Sequence, residues 1–249
     1  GSFPGEHQLS LGMLGMHGTV YANYAVNEAD VVLALGIRFD DRIAGVPKEF
    51  CKDATIIHVD IDPAEIGKNK LIDIPIVGDL KHVLNEINHE LTPQTHESWL
   101  ERIREWREEY PIRVRPHEGN SLLPQKVIQE IDNIVKGNAI VVTDVGQHQM
   151  WASQFITFSK PNTIITSGGA GTMGFGLPAA IGAQVAQPDK KVVLITGDGG
   201  LQMNSQELLL LKAYNIPVKV VIINNGFLGM VRQWQELFNQ RRYSFVDLE

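Results

Sequence analysis

The residues best suited to chemistry follow a β-branched run in the second half of the chain, as Gly197-Asp198-Gly199-Gly200. The run Val192–Thr196 predicts a buried strand, and a helical pattern begins after the glycines, near Met203. Glycines between a strand and a helix allow backbone N–H groups to approach a phosphate closely. A carboxylate there repels a phosphate unless a cation lies between them, so Asp198 indicates Mg²⁺ or Ca²⁺.

A second candidate metal ligand ends the next predicted strand. Asn224-Asn225 follows the run Val218–Ile223, 27 residues after Asp198. Consecutive parallel strands are usually neighbours, and open α/β sheets bind ligands at the carboxyl ends of their strands. We therefore expect Asp198, Asn225 and the backbone carbonyl of Phe227 to hold one cation, with diphosphate oxygens filling most of its remaining positions. Taken singly, Asp-Gly and Asn-Gly are more typical of turns that bind nothing.

A glycine-rich segment offers a competing interpretation. Gly169–Gly174 spells G-x-G-x-x-G between the predicted strand Thr163–Thr166 and the predicted helix Phe175–Ala186, which is the pattern of dinucleotide-binding folds. The acid expected about 20 residues further on is missing, because Lys190–Leu194 stands there. An NAD(P) dehydrogenase is therefore the weaker hypothesis.

Two sets of alternating strands and helices surround these residues. The predicted strands are Val31–Leu35, Thr55–Ile61 and Ile74–Val77 in the first set, and Ala139–Val145, Thr163–Thr166, Val192–Thr196 and Val218–Ile223 in the second. The predicted helices are Thr19–Glu28, Lys68–Ile72, Leu80–Leu91, Leu122–Val135, Phe175–Ala186, Met203–Tyr214 and Leu228–Phe238. Apolar runs without strict alternation predict buried parallel strands. The predicted fold class is therefore α/β, with two doubly wound parallel-sheet domains.

The segment between the two sets predicts the domain boundaries. It contains several prolines and one amphipathic helix, about Glu97–Tyr110, which Pro111 ends. We therefore expect a first domain over residues 1–91, a linker over residues 92–121 and a second domain over residues 122–249.

The composition excludes several classes of protein. The 249 residues include 22 basic and 29 acidic side chains, and the resulting net charge of −7 does not suit a surface that binds nucleic acid. The single cysteine, Cys51, excludes an internal disulfide and multi-cysteine zinc sites. The longest uninterrupted apolar run is Val31–Leu35, so we expect no membrane span, and we expect no secretory signal.

Several motifs together resemble one family. Gly197-Asp198-Gly199 followed by Asn225 resembles the signature of thiamine-diphosphate enzymes. Further segments are similar to the catalytic large subunits of acetolactate synthase, also called acetohydroxyacid synthase. These segments are Gln147–Trp151, Gly168–Gly182 and Met230–Gln235 in the second domain, and Gly15–Gly18 and Gly36–Arg42 in the first. The similarity extends over nearly the whole chain.

The resemblance implies that the second domain is a truncated thiamine-diphosphate-binding domain that also binds Mg²⁺. The implied cofactor contacts are Gln147, His148, Gly171, Met173, Gly197, Asp198, Gly199, Gly200, Asn225, Gly229 and Met230. The implied metal ligands are Asp198, Asn225 and Phe227. The candidate catalytic residues are Met173, as an apolar wedge under the thiazolium ring, and Trp234, in the substrate channel. The alternative for both is an ordinary core side chain.

The first domain is implied to be part of a middle domain that binds FAD. Its predicted strand Thr55–Ile61 contains Asp60 and leads into Asp62, which suits contacts with a ribose or an adenine. The implied FAD contacts are Met16, His17, Gly36, Arg38, Asp40, Arg42, Asp60, Ile61, Gly78 and Asp79.

The activity implied by the resemblance is that of a carboligase. Pyruvate loses CO₂ on thiamine diphosphate, and the hydroxyethyl unit adds to pyruvate or 2-oxobutanoate in the biosynthesis of valine, leucine and isoleucine. The products are 2-acetolactate and 2-aceto-2-hydroxybutanoate. The family's activating glutamate lies on an N-terminal pyrimidine-binding domain that we expect to be absent here, so we expect little activity from the chain alone.

The resemblance also implies partners and a compartment. We expect 2-oxo acids as substrates, a homodimer or larger assembly of the full-length enzyme, and a regulatory small subunit. The implied compartment is the cytoplasm, or the plastid in a eukaryote. The alternatives are a related thiamine-diphosphate decarboxylase, a pyruvate oxidase, or a catalytically inactive scaffold.

Overall fold

Residues Leu11–Arg113 fold as one unit around a three-stranded parallel sheet of order β1-β2-β3. The computed structural model describes residues 2–114 and 122–248. The elements of this N-terminal unit are α1 (Val20–Asn27), β1 (Val31–Leu35), α2 (Asp41–Ala44), β2 (Thr55–Asp60), β3 (Ile74–Val77), α3 (Leu80–Glu90) and α4 (Glu97–Glu109). The predicted strands, and the predicted helices at α1, α3 and α4, are confirmed to within two residues.

Polar side chains fix where the first three helices begin. Thr19 Oγ1 accepts a hydrogen bond from the Ala22 N–H at 3.0 Å, directly before α1. Asp40 and Asp79 cap α2 and α3 in the same way, each accepting from two backbone N–H groups. Such caps satisfy N–H groups that have no partner inside the helix. Two residues implied to bind FAD therefore also have a structural role as helix caps.

One face of this sheet carries exposed apolar side chains. Along β1, Ala34 is 5% exposed and faces the core that contains Phe39 and Ile56. The alternate residues Val31 and Leu33 are 53% and 40% exposed. Side chains alternate between the two faces of a strand, so the helices of this unit cover only the Ala34 face of β1.

Helix α4 packs within the N-terminal unit. Its Trp106 is 3% exposed and lies edge-on to Tyr24 of α1, with ring centroids 5.6 Å apart. We expected a linker over residues 92–121, whereas the unit extends to Arg113, because the apolar stripe of α4 finds a partner in α1. Residues 115–121 of that expected linker lie outside the described residues.

Residues 2–10, Val114 and residues 122–248 form the C-terminal unit. Its elements are α5 (Pro124–Val135), β4 (Ala139–Thr143), α6 (Gln147–Phe155), β5 (Ile164–Ile165), α7 (Gly176–Ala186), β6 (Lys191–Gly197), α8 (Asp198–Met203), a 3₁₀ turn (Ser205–Glu207), α9 (Leu208–Ala213), β7 (Lys219–Ile223) and α10 (Gly229–Phe238). The four strands are parallel, in the order β5-β4-β6-β7.

Helices cover both faces of this second sheet. Along β4, Val141 packs with α5 and α6, whereas Val142 packs with α7. Along β6, Ile195 packs on the side of α5 and α6, and Leu194 packs on the side of α7. This double cover explains why the central strands are continuous apolar runs, and it confirms the predicted doubly wound arrangement. Within the described ranges, no helix is both long enough and apolar enough to cross a bilayer.

Several local predictions were wrong. The helix expected over Met203–Tyr214 is divided, because α8 begins at Asp198 and a 3₁₀ turn separates it from α9. Gly199 and Gly200 lie inside α8, and their low helix propensity concealed its start. The short helical turn expected over Lys68–Ile72 does not form. Helix α6, which contains His148 in its first turn, was not predicted.

Candidate cofactor site

A cavity of about 220 Å³ lies at the carboxyl ends of β4, β6 and β7. All the residues implied to bind thiamine diphosphate or its metal line this cavity. They are Gln147, His148, Gly171, Met173, Gly197, Asp198, Gly199, Gly200, Asn225, Phe227, Gly229 and Met230. The position is the one at which open α/β sheets bind ligands.

Asp198 and Asn225 meet at the loop between β7 and α10. Asp198 Oδ2 accepts a hydrogen bond from the Gly226 N–H at 2.9 Å, and Asn225 Oδ1 accepts one from the Phe227 N–H at 3.0 Å. The predicted pairing of β6 with β7 is confirmed, and the role of these residues as metal ligands stays a prediction.

The oxygen atoms at this loop suit a hard cation. No cluster of three His, Cys, Asp or Glu side chains suited to a metal occurs among the described residues. A cation beside Asp198 would therefore be held by one carboxylate together with amide, carbonyl and ligand oxygens. Mg²⁺ is commonly held in this way, with phosphate oxygens completing its coordination.

The C-terminal segment pairs with the same loop. The Leu228 N–H donates to the Val246 carbonyl at 2.7 Å, and the Leu248 N–H donates to the Gly226 carbonyl at 2.9 Å. Val246 is only 1% exposed. The segment 246–248 therefore holds the loop that carries Asn225.

His148 is buried and has an unpaired ring nitrogen. It is 5% exposed, and its Nε2 has no hydrogen-bond partner among the residues that the structure describes. Burial lowers the pKa of His148 below its ordinary value, although the charge of Asp144, a backbone hydrogen bond with Asp144 and the charge of Asp198 act to raise it. Buried polar atoms normally have partners, so Nε2 indicates a place for a ligand atom.

Two helices begin at the cavity without a side-chain cap. Helix α6 starts at Gln147 and α10 starts at Gly229, and in the described ranges no side chain bonds to either N-terminus. Free N–H groups and the helix dipole favour an anion at such a position. Gln147 Nε2 donates to Gln233 Oε1 at 2.8 Å and so joins the two helices.

Glycines keep the backbone close to the side chains of the cavity. A Cβ atom on Gly229 would lie 2.3 Å from Gln147 Oε1 and 2.8 Å from Asn225 Nδ2. A Cβ atom on Gly200 would lie 2.4 Å from Asp144 Oδ1. Any larger residue at these positions would displace its neighbours.

Asp144, which directly follows β4 and is 1% exposed, was not predicted as a site residue. Its Oδ1 accepts hydrogen bonds from the Val145 and Gly174 N–H groups at 2.7 and 3.0 Å, and its Oδ2 accepts one from the Gly176 N–H at 2.7 Å. We had assigned Asp144 to the strand Ala139–Val145. The available signal was a charged residue inside a predicted buried strand, because a buried carboxylate requires donors.

Trp234 is not among the described residues that line the cavity. It lies on α10, one turn beyond Met230, and its ring centroid is 4.9 Å from that of Phe238. Phe238 is 66% exposed and Trp234 is only partly buried, so this contact is not core packing. Its role in a substrate channel stays a prediction.

The residues implied to bind FAD gather in two places in the N-terminal unit. Gly36, Asp60-Ile61 and Gly78-Asp79 lie at the carboxyl ends of β1, β2 and β3, on one edge of the sheet. The side chain of Asp60 is 12% exposed, and its Oδ2 lies 3.9 Å from Nε2 of the fully buried His58.

The other implied FAD residues belong to two segments that touch. The Met16 N–H donates to the Arg42 carbonyl at 2.7 Å, and Arg38 forms an ion pair with Asp40 at 2.7 Å. Burial lowers the pKa of His17, and the charge of Arg42 lowers it further. The structure thus brings together the two segments that resemble FAD segments, which are far apart in the sequence.

The glycine-rich segment Gly169–Gly174 does not form a dinucleotide turn. Such a turn joins a strand directly to a helix. Here β5 ends at Ile165 and α7 begins at Gly176, so residues 166–175 separate them. The dehydrogenase alternative therefore loses its structural basis.

Comparison with known families identifies two neighbouring domains of one family. Residues 144–249 match the C-terminal TPP binding domain of the thiamine pyrophosphate enzymes, and residues 1–87 match their central domain. The chain therefore belongs to the thiamine pyrophosphate enzymes. Thiamine pyrophosphate is another name for thiamine diphosphate.

Within this family, the chain is similar to the large subunits of acetolactate synthase. Over its whole length it is 50% identical to the acetolactate synthase large subunit of Cyanidium caldarium and 51% identical to that of Parasynechococcus marenigrum (strain WH8102). It is also 50% identical to the acetolactate synthase of Mycobacterium leprae (strain TN). The chain spans 43%, 40% and 41% of the lengths of these three relatives.

Proposed function

We propose that this chain is the cofactor-binding part of an acetolactate synthase large subunit, with thiamine diphosphate and Mg²⁺ in the C-terminal unit. The observation that carries the proposal is the cavity at which Asp198 and Asn225 meet from neighbouring strands. The unpaired Nε2 of buried His148 at the same cavity supports it, because a ligand atom would give it a partner.

The residues present fit a magnesium ion with a diphosphate. Asp198, Asn225 and the Phe227 carbonyl offer three oxygen ligands, which Mg²⁺ prefers. The uncapped N-termini of α6 and α10 offer N–H donors and favourable dipoles to the diphosphate oxygens. The cation would also cancel the repulsion between the phosphates and Asp198.

The chain's own contribution to catalysis is to hold and orient the cofactor. When bound, thiamine diphosphate supplies the electron sink for decarboxylation of a 2-oxo acid. Met173 presents an apolar side chain beside Gly199, where a Cβ atom would lie 3.5 Å from Met173 Cε. We assign Met173 to the ring portion of the cofactor and His148 to its diphosphate.

The proposed reaction is a carboligation that forms acetolactate, the product in the relatives' name. Pyruvate loses CO₂, and the two-carbon unit joins a second 2-oxo acid to give 2-acetolactate or 2-aceto-2-hydroxybutanoate, in branched-chain amino acid biosynthesis. No acidic residue of this chain is assigned to activate the cofactor, so the chain alone should have little activity. We further propose a homodimer or larger assembly with a regulatory small subunit, in the cytoplasm or a plastid.

We propose FAD for the N-terminal unit. Support comes from the two glycines and two acids, Gly36, Gly78, Asp60 and Asp79, at the carboxyl ends of β1, β2 and β3, the edge at which parallel sheets bind dinucleotides. The contact between Met16 and Arg42 also supports it, because it joins the two segments that resemble FAD segments.

Calorimetry with thiamine diphosphate, with and without Mg²⁺, tests the proposed cofactor. We expect binding that requires Mg²⁺ and that Asp198→Ala weakens by at least about 100-fold, because a carboxylate ligand to the metal is lost. Asp189→Ala is the matched control, because Asp189 is an exposed acid of the same unit and does not line the cavity. Binding that is independent of Mg²⁺, or equal in both variants, would contradict the proposal.

A further inference from the structure

Asp144 holds the peptide that follows Met173. Its two carboxylate oxygens together accept hydrogen bonds from the N–H groups of Val145, Gly174 and Gly176. Gly176 is the first residue of α7 and Gly174 lies two residues before it, and both follow Asp144 by 30 or more residues in the sequence. One side chain therefore fixes the end of β4 to the loop that carries Met173.

Gly174 is also held from its carbonyl side. Asn204 Nδ2 donates to the Gly174 carbonyl at 2.8 Å. Gly174 has φ +87°, a conformation that favours glycine, and a Cβ atom there would lie 2.7 Å from Met203 Cβ. With its N–H on Asp144 and its carbonyl on Asn204, Gly174 leaves the adjacent Met173 little freedom.

The chemistry of this clamp requires a carboxylate. None of the ion pairs among the described residues includes Asp144, so backbone N–H groups are the donors that compensate its burial. Asparagine has the same shape, but its NH₂ group would face one of these N–H groups as a second donor. Gly200 leaves room for the carboxylate, because a Cβ atom there would lie 2.4 Å from Asp144 Oδ1.

We propose that Asp144 is a positioning residue that, together with Asn204, fixes Gly174 and thereby sets the place of Met173 at the cavity. This role rests on the proposed function only for the identity of the ligand that Met173 meets. Asp144 does not itself line the cavity, so it acts through the loop. The prediction is that Asp144 affects the ring portion of the cofactor more than the diphosphate portion, because its carboxylate holds the Met173 loop directly, whereas it acts on His148 through its charge.

Methyl NMR of the methionines tests the positioning without a ligand. The chain has six methionines, and the signal of Met173 is identified by its loss in Met173→Ala. We expect Asp144→Asn to move or broaden the Met173 methyl signal, whereas Met13 and Met16 in the N-terminal unit stay unchanged. Asp132→Asn is the control, because Asp132 accepts from the Thr157 N–H at 2.9 Å in the same unit, away from the cavity. An unchanged Met173 signal in Asp144→Asn would overturn the proposal.

Calorimetry with two ligands separates positioning from a general loss of structure. We expect Asp144→Asn to weaken the binding of magnesium thiamine diphosphate about tenfold, and to weaken the binding of magnesium pyrophosphate by a clearly smaller factor. We expect Met173→Ala to be no further weakened by adding Asp144→Asn, because the two residues act as one unit. Equal losses for both ligands, or additive losses in the double variant, would overturn the proposal.

A second variant covers the case in which Asp144→Asn does not fold. Asn204→Ala removes the bond to the Gly174 carbonyl and a 3.3 Å hydrogen bond from Gln206 Nε2, and it leaves the Asp144 bonds in place. The same shift of the Met173 signal is expected, to a smaller extent. An unchanged signal in that variant would overturn the clamp. If the wild-type chain binds no thiamine diphosphate, the proposed function fails, while the NMR experiment still decides the role of Asp144.

Discussion

Burial keeps the His148 imidazole uncharged under conditions in which the unfolded chain still protonates it. The pKa of His148 is lowered in the folded protein, so the unfolded state binds more protons below about pH 6.5. The contribution of His148 to the free energy of unfolding therefore grows as the pH rises through this range and is lost as the pH falls through it. A single side chain thus links the candidate diphosphate site to acid stability.

Replacing His148 should reduce the acid sensitivity of the chain. We expect His148→Gln to lose less stability than the wild-type chain between about pH 7.5 and pH 5.5, because it removes a group that resists protonation only when folded. Urea denaturation at both pH values measures this. His17→Gln serves for comparison. Because burial also lowers the pKa of His17, in the other unit, this variant should also lose less stability than the wild-type chain. Parallel losses in His148→Gln and the wild-type chain would contradict the expectation.

At the scale of elements, two helical glycines differ in what surrounds them. A Cβ atom on Gly182 of α7 would meet no atom of the described residues within 4 Å. A Cβ atom on Gly229, the first residue of α10, would lie 2.3 Å from Gln147 Oε1. The same substitution should therefore have opposite effects in the two helices.

We expect Gly182→Ala to raise the free energy of unfolding by about 0.5–1 kcal/mol, because alanine loses less backbone entropy in a helix. We expect Gly229→Ala to lower it by about 1–3 kcal/mol through displacement of Gln147 and Asn225. Urea denaturation of both variants measures the difference. A stabilised Gly229→Ala would show that the start of α10 is not closely packed.

The sequence was sufficient to predict that β6 and β7 are neighbours, because consecutive parallel strands usually pair, although β5 and β6 of the same sheet do not. The proximity of Asp198 and Asn225 is therefore predictable from the sequence alone. The role of Asp144 was not predictable, because its partners Gly174 and Gly176 are distant in sequence and contribute only backbone N–H groups. The start of α8 was not predicted, because Gly199 and Gly200 have a low helix propensity. Neighbouring side chains leave little room for a Cβ atom at these two positions.

At the scale of the whole molecule, the exposed apolar face of β1 favours self-association. Parallel sheets are normally covered on both faces, whereas Val31 and Leu33 are 53% and 40% exposed. β1 is also an edge strand of its sheet. The chain alone should therefore associate through this face.

We expect Leu33→Thr to shift the chain toward monomer with a stability change within about 0.5 kcal/mol, because Leu33 is partly exposed and threonine suits a strand. Size-exclusion chromatography with light scattering measures the shift. Ile56→Thr is the contrast, because Ile56 is 2% exposed, and it should cost about 2 kcal/mol or more. Unchanged association in Leu33→Thr would show that another surface is responsible.

Residues 246–248 are joined by backbone hydrogen bonds to the loop at Gly226 and Leu228, so the two segments should move together. A displacement of that short stretch would pull on the turn that presents Asn225, because backbone hydrogen bonds at 2.7 and 2.9 Å join them. A ligand that binds residues 246–248 would therefore shift Asn225, and with it the proposed metal site, without contacting either.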